Sequence, residues 1–385
     1  MKYRGFGKLD WKASALGFGT MRLPIIGGDS AKIDEAQAIE MIRYAIDHGV
    51  NYLDSAYPYH RGNSEIVVGK ALENGYRERV KVATKMPTWL VKSHKDMDQY
   101  LDEQLKRLRA DHIDFYLLHA LEKDRWSNLL NLDVFDWADS ALSDGRIRYL
   151  GFSFHDKYEV FKEIVDGYDK WTLCQIQYNY MDTENQAGTK GLKYAASKGL
   201  AVVVMEPIAG GMLAINPPTD VQAVWEQART KRTPAEWALQ WVWNQPEVSV
   251  TLSGMSDMKQ VIENVETASR SGPGTLTNEE LELISKVREK YHECGFIGCT
   301  GCRYCMPCPE GVAIPEILKF LNEYSRRRGD GDAQKEVVGS YAQAIAAENG
   351  AKKCAKCGEC EEQCPQHLPI RNLIGEAAWI FERNR

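Results

Sequence analysis

The chain has 385 residues, 44% of them hydrophobic and 26% charged, enough to bury a full core and to suggest two or more domains. Its 48 basic and 54 acidic residues leave a net charge of −6, so it carries no basic footprint for nucleic acid. No apolar run approaches the ~20 residues that span a bilayer, and the opening MKYRGFGKLDWKAS lacks the apolar stretch of a secretory signal; we expect a cytoplasmic protein with no membrane partner.

Taken in chain order, MKYRGFGKLDWKAS reads as a short hairpin. Strand-like runs then recur, each succeeded by a helical pattern. They are LGFG (16–19), NYLD (51–54), VKVATK (80–85), IDFYLLH (113–119), YLGFS (149–153), CQIQY (174–178), AVVVME (201–206) and VSVTLS (248–253). IDEAQAIEMIRYAIDHG carries apolar residues at helical spacing and stops at Gly49. TPAEWALQWVWNQP begins with Thr233 as a cap, Pro234 at the first helical position and Glu236 three residues after the cap. Eight strand-then-helix units over about 250 residues predict a (β/α)8 TIM barrel, its bottom closed by the opening hairpin. A doubly wound open sheet would show G-x-G-x-x-G after its first strand, and GFGTMRLPIIGG departs from that pattern. We expect the barrel over residues 1–272. The turn at Gly272-Pro273-Gly274 then leads into the helix TNEELELISKVREKY and a small, mostly α, ferredoxin-like iron–sulfur domain over 273–385.

Eight of the ten cysteines carry that last expectation. The first run is Cys299, Cys302, Cys305 and Cys308, the second Cys354, Cys357, Cys360 and Cys364, and each ends in Cys-Pro. The second has the bacterial ferredoxin spacing for a 4Fe–4S cluster, in which the last cysteine reaches across to a companion cluster. The first is one residue short before its last cysteine, so the spacing implies one cluster at minimum and two from the number of thiols. Disulfides belong to oxidising compartments, and zinc usually takes two separated ligand pairs. Cys174 lies in an apolar run and reads as a core thiol. Cys294 reads as either a spare thiol or a replacement ligand.

A barrel of this kind places its chemistry at the C-terminal ends of its strands. Asp54 ends the second expected strand, with Tyr59 in the loop behind it; Lys85 ends the third and His119 the fourth. Each has an ordinary reading: a helix cap, a solvated lysine, a hydrogen-bonded core histidine. Their recurrence at consecutive strand ends is what points to catalysis. Trp89, Trp126 and Tyr57 read either as walls of an apolar pocket or as packing.

The stretch YLDSAYPYHRGNSEIVVGKAL resembles the aldo-keto reductase segment in which an Asp precedes the catalytic Tyr by five positions. VKVATK and DHIDFYLLHA resemble that family's strands ending in Lys and His; RYLGFS, QIQYN, EPIAGGML and SGMSDMKQVIENV come next in the family's order. The tail resembles that of the subfamily carrying a dicluster ferredoxin domain. The resemblance implies NAD(P)H-dependent reduction of a small carbonyl (aldehyde, ketone or quinone), with Tyr59 as general acid, Lys85 and Asp54 supporting it and His119 orienting the carbonyl oxygen. It implies that Ser153 and Gln175 hold the nicotinamide carboxamide, and it adds Met205, Pro207, Gly254, Ser256, Lys259, Gln260 and Asn264 as cofactor contacts. Phe154 stands where the family often has Asn, Met205 where it often has an aromatic ring, and Gln260 where it often has Arg. NADP(H) is therefore the family-based expectation, with NAD(H) open. The alternative is an electron-transfer or redox-sensor module whose clusters exchange electrons with a ferredoxin or flavoprotein partner. The clusters themselves read equally as a relay or as staples for a small domain.

Overall fold

The structure, a computed structural model, describes residues 1–383. All eight expected strands form. After the antiparallel hairpin of β1 (Tyr3–Phe6) and β2 (Leu9–Ser14) come β3 (Leu16–Gly19), β4 (Tyr52–Asp54), β5 (Lys81–Met86), β6 (Ile113–Leu121), β7 (Ile147–Phe154), β8 (Leu173–Gln177), β9 (Ala201–Met205) and β10 (Val248–Gly254). Strands β3 to β10 pair in parallel, each with the next in sequence, and β10 pairs with β3 to close the barrel. Parallel strands covered on both faces need continuous apolar character, and all nine residues of β6 are buried.

The hairpin closes the bottom as expected. Phe6 is fully buried and its ring lies 4.8 Å from that of Phe115, in one core cluster with Tyr52, Leu173 and Ala201 near the strands' starts. The first helix, α1 (Glu35–Asp47), is capped by Asp34, whose side chain accepts from the Gln37 N–H, and Gly49 beyond its end takes φ 96°. Two more helices frame the site: α2 (Asn63–Ala71) and α3 (His94–Leu108), the latter opened by a Ser93–Asp96 capping box. Farther along, the helix Pro234–Trp243 begins as its sequence implies, with the Glu236 N–H donating to Thr233 Oγ1 at 3.1 Å.

The chain divides into two compact units, Met1–Pro207 with Leu239–Leu276, and Ile208–Ala238 with the residues from Thr277 onward. One division falls after Leu276. The segment 208–238, which the strand–helix alternation assigns to the barrel, goes with the second unit. There Trp225 stacks on Trp237 at 4.9 Å, Arg232 binds Glu280 at 2.5 Å, and Gly210 lies so close to Thr300 that a Cβ would stand 2.3 Å from its carbonyl oxygen.

The second unit has an apolar core of its own. The helices Ile314–Arg326, Gly331–Ala344 and Ile370–Phe381 bury Ile317, Leu321, Tyr341, Ile374 and Phe381 together. Buried Glu382 accepts from the Ala351 and Lys352 N–H groups at 2.8 and 2.9 Å and from the Tyr341 hydroxyl. That carboxylate fastens the end of one helix to the turn just before Cys354. Among the described residues no helix is long and apolar enough to cross a membrane.

In the barrel unit, α2 meets α3 with no room between them. A Cβ on Gly69 would stand 2.8 Å from the Leu108 carbonyl oxygen and 2.9 Å from that of Arg107. Gly69→Ala must therefore push two helix backbones apart, at a cost of about 1–3 kcal/mol, measurable as a lower urea midpoint for unfolding of the barrel.

Candidate active site and thiol groups

Strand register brings the four expected residues together. Asp54 pairs with Ala83, and Lys85 is two residues beyond Ala83; Lys85 pairs with Leu117, and His119 is two residues beyond Leu117. A two-residue step preserves the face of a strand. The three side chains therefore point to the barrel interior, each one step farther along than its neighbour, as strand tilt in a closed barrel requires. β6 runs on to Leu121 instead of ending at His119; its pairing with β7 shifts between Leu118 and Leu121, where Ala120 takes φ 53°. Tyr59 opens the short turn Tyr59–Gly62 that lies beyond β4.

Lys85 Nζ donates to Asp54 Oδ1 and to the Ser55 carbonyl, both at 2.7 Å, and lies 3.5 Å from the Tyr59 hydroxyl. Lys85 and Asp54 are 1% and 2% exposed. Burial pushes the Asp54 pKa up and the Lys85 pKa down, and each partner's opposite charge resists the shift of the other. The His119 ring stands edge-on to that of Tyr59, centroids 6.2 Å apart, and 5.2 Å from the Trp89 ring. Burial, then the charges of Lys85, His155 and Arg125, holds the His119 pKa well below its usual 6.5. The imidazole is therefore neutral, and its Nδ1 is buried without a partner. Partly exposed Trp89 flanks this mouth, whereas Tyr57 packs edge-on to Tyr100 at 5.2 Å and donates to Glu103. Trp126 does not flank it: it is fully buried against Phe135 and Trp171 and is packing.

Ser153 and Gln175 are cross-strand partners on β7 and β8. Ser153 Oγ accepts from the Ala120 N–H at 2.7 Å, which leaves its own proton to give; Gln175 Nε2 points to Met205 Sδ at 3.8 Å, and Gln175 Oε1 is buried with no partner. A hydroxyl donor beside an unmet amide acceptor is the complement of a primary carboxamide. Phe154, in the place often held by Asn, faces outward and packs edge-on to Phe161 at 5.1 Å.

The residues expected at the far end of the cofactor occupy the end of β10 and the helix Met258–Ser269. Asn264 Nδ2 donates to Ser253 Oγ at 3.1 Å. Gln260 accepts from the Ser256 N–H at 3.0 Å and donates to Asp257 at 2.8 Å, so its amide is engaged locally. Lys259 is largely exposed, 3.9 Å from Glu263. Pro207 closes the first stretch of the barrel unit. The cation that lies against Gly254 is Arg22, whose Cγ is 3.2 Å from where a Cβ would stand. It comes from the loop after β3, and its proximity to β10 depends on barrel closure.

Among the described residues none of the ten cysteines forms a disulfide. In the second unit thiols of the two runs lie near one another. Cys305 and Cys308 line a cavity of about 170 Å³ with Cys354, Cys357 and Cys360. Cys364 of the second run also lies near the first: burial, then the charges of Cys302, Cys299 and Cys364, pushes the Cys305 thiol up to about 12. Thiols crowded in this way repel one another as bare thiolates, and bound iron removes that penalty. The arrangement fits the exchange of last cysteines between two iron–sulfur clusters. Cys294 is in neither run; it lines a separate small cavity with Met212, Tyr291 and Phe296. Cys174 is a buried core thiol, as expected.

A closed barrel with its polar residues at the strand ends, in one chain with a thiol-rich unit, defines a (β/α)8 oxidoreductase joined to an iron–sulfur module. The comparisons agree. The sequence model of the aldo/keto reductase family matches residues 15–289, and that of a 4Fe-4S dicluster domain matches residues 298–368. The chain belongs to the aldo/keto reductase family. It is similar to L-galactose dehydrogenase of Arabidopsis thaliana, 25% identical over 308 residues, covering 75% of this chain and 95% of that one. It is similar to the NADH-specific methylglyoxal reductase of Escherichia coli (strain K12), 26% identical over 336 residues, covering 74% and 100%. Among solved structures, the holo form of aldo-keto reductase AKR11C1 from Bacillus halodurans is 29% identical with a TM-score of 0.62, covering 74% of this chain and 96% of that one. A Klebsiella pneumoniae aldo-keto reductase in complex with NADPH, 23% identical with a TM-score of 0.60 and covering 75% and 96%, shares the fold.

The His119 environment has a measurable consequence. Its folded pKa lies below its unfolded value, so the unfolded chain binds the extra proton first. Stability from this group is complete above about pH 6.5 and is lost progressively as pH falls toward the folded value. In a protein with isotopically labelled histidine, the His119 ring resonances should stay unshifted from about pH 8 to pH 5.5.

Proposed function

We propose that the protein is an NAD(P)H-dependent carbonyl reductase with Tyr59 as its proton donor. The observation that carries this reading is the position of Lys85 Nζ, 2.7 Å from Asp54 and 3.5 Å from the Tyr59 hydroxyl, in a buried barrel mouth. A bound nicotinamide supplies hydride to the carbonyl carbon. The carbonyl oxygen takes a proton from Tyr59 as negative charge develops on it. Lys85 stabilises the phenolate that remains, and Asp54 keeps the ammonium charged and oriented. Neutral His119 donates its single N–H to the same oxygen, which fixes the carbonyl and stabilises its charge. Solvent then restores the Tyr59 proton.

Ser153 and Gln175 would hold the carboxamide, with Met205 packed beside Gln175. At the phosphate end Gly254, Ser256 and Asn264 supply backbone and polar groups and Arg22 a guanidinium, whereas Lys259 lies out in solvent. NADP(H) remains the family-based assignment, and the relative named as NADH-specific keeps NAD(H) in play. Relatives named for L-galactose and methylglyoxal support a small carbonyl compound, or its alcohol, as substrate.

In the second unit we assign two 4Fe–4S clusters, which exchange electrons singly. Cys299, Cys302, Cys305 and Cys364 would hold one, and Cys308, Cys354, Cys357 and Cys360 the other. The apolar core gives this unit its own packing, while the clusters would fix the loops that carry the thiols.

Tyr59→Phe should keep the fold and bind NADPH as before, yet lower kcat for reduction of a panel of aldehydes and quinones by about 10²–10⁴-fold. Near-normal turnover would remove Tyr59 from its role. Ligand crossing is tested separately, by iron content and paramagnetic resonance of the dithionite-reduced protein. Cys364→Ser should resemble Cys302→Ser, and Cys308→Ser should resemble Cys357→Ser, each pair losing the signal that the other keeps. Cys364→Ser resembling Cys357→Ser would show that the runs do not cross.

A further inference from the structure

A second buried carboxylate lies beside the strand that carries Lys85, and proton transfer from Tyr59 does not use it. Glu65 sits in the first turn of α2, three residues after the turn that begins with Tyr59, and is fully buried. Its Oε1 accepts from Thr84 Oγ1 at 2.5 Å and Gln104 Nε2 at 2.6 Å; its Oε2 accepts from Arg107 Nη1 at 3.1 Å. Gln104 Nε2 also lies 3.1 Å from the Lys85 carbonyl oxygen, and Gln104 Oε1 accepts from the Tyr116 hydroxyl at 2.6 Å. The carboxylate is thus fastened to β5 at Thr84 and, through Gln104, at Lys85.

Its other side is fastened to the loop. Arg107 Nη1 donates to the Tyr57 carbonyl at 3.2 Å, its guanidinium covers the Tyr57 ring at 4.1 Å, and its Nη2 donates to Glu103 at 2.6 Å. Tyr57 precedes Tyr59 by two residues. One side chain therefore joins the strand that aims the ammonium to the loop that aims the phenol. A neutral amide could tie the same elements without burying a charge. The charge adds a field: burial drives Lys85 toward its neutral form, and Asp54 first, then Glu65, favour the ammonium.

We propose that Glu65 is a positioning residue for the Lys85–Tyr59 pair, fixing their separation from the outer face of β5 and adding a second negative charge behind the strand that carries the buried ammonium. This rests on the reading of Tyr59 as proton donor. The groups that face Lys85 are Asp54, Tyr59 and His119, with Glu65 across β5 and with His155 and Arg125 behind His119. Those that face Glu65 are Arg107 and Tyr116, with Glu103 and Tyr57 beyond Arg107. Loss of an anion makes both Lys85 and Tyr59 easier to deprotonate. The alkaline limb of carbonyl reduction, where the proton donor is lost, must then move to lower pH.

The experiment compares kcat and kcat/KM against pH for the intact protein and its Glu65→Gln, Glu65→Asp, Thr84→Val and Tyr59→Phe variants, with NADPH affinity and melting temperature alongside. Glu65→Gln should lower kcat by about 10- to 100-fold, move the alkaline limb down by about half a pH unit or more, and leave NADPH affinity within about twofold. Thr84→Val removes a hydrogen bond but no charge, so it should lower the melting temperature with the limb unmoved. A Glu65→Gln profile that matches Thr84→Val, destabilised but with the limb in place, overturns the proposal. If Glu65→Gln does not fold, Glu65→Asp decides: the charge is kept and the reach shortened, so kcat should fall with the limb in place, and unchanged kcat overturns the proposal. Full activity in Tyr59→Phe would instead sink the proton-donor reading itself.

Discussion

A lysine ammonium buried in a barrel mouth needs a counter-charge, and the Lys85–Asp54 pair is the constraint on which the site depends. Taken singly, each ion would be driven by burial to its neutral form. Held at 2.7 Å, with the Ser55 carbonyl also accepting from the ammonium, the pair remains charged where water is excluded. The arrangement requires β4 and β5 to be in one register, since a one-residue slip would turn Lys85 out of the barrel. The same register carries His119 to the interior two residues beyond the Lys85 partner, and the Ser153–Gln175 pair continues around the barrel. Barrel closure and site assembly are one geometric event.

The second unit solves a different electrostatic problem. Eight thiols gathered in one small unit repel one another once ionised, and Cys305 shows how burial and its neighbours oppose the thiolate. The unit holds the groups in place with means that need no iron: an apolar core of three helices and the Glu382 carboxylate gripping the turn before Cys354. The thiol loops are therefore braced on a packed scaffold.

Much of the barrel was legible in the chain because its signals are local. Short strand-like runs marked all eight strands; Gly49, Thr233 and Pro234 marked helix ends; strand-end placement singled out Asp54, Lys85 and His119. Other features were hidden for identifiable reasons. Glu65, Gln104 and Arg107 lie on helices, where polar residues ordinarily signify a solvated face, and nothing local marks them as buried together. Arg22 meets Gly254 only because the first and last barrel strands pair. Trp126 and Trp89 look alike in sequence, yet one is core and the other lines the mouth. The segment 208–238 alternates like barrel chain, but its Trp225–Trp237 stack and the Arg232–Glu280 bridge draw it into the second unit.

Spacing along the chain was sufficient for the class of chemistry, because catalysis at strand ends and cluster binding in cysteine runs both depend on residue types at short, regular intervals. It was sufficient for the parallel barrel too, since strand and helix periods are local properties. Which carboxylate stands behind the strand of Lys85 and which cation reaches the end of β10 were decided by tertiary structure alone. Those relations join residues tens to hundreds of positions apart, and only barrel register and helix packing set the distances between them.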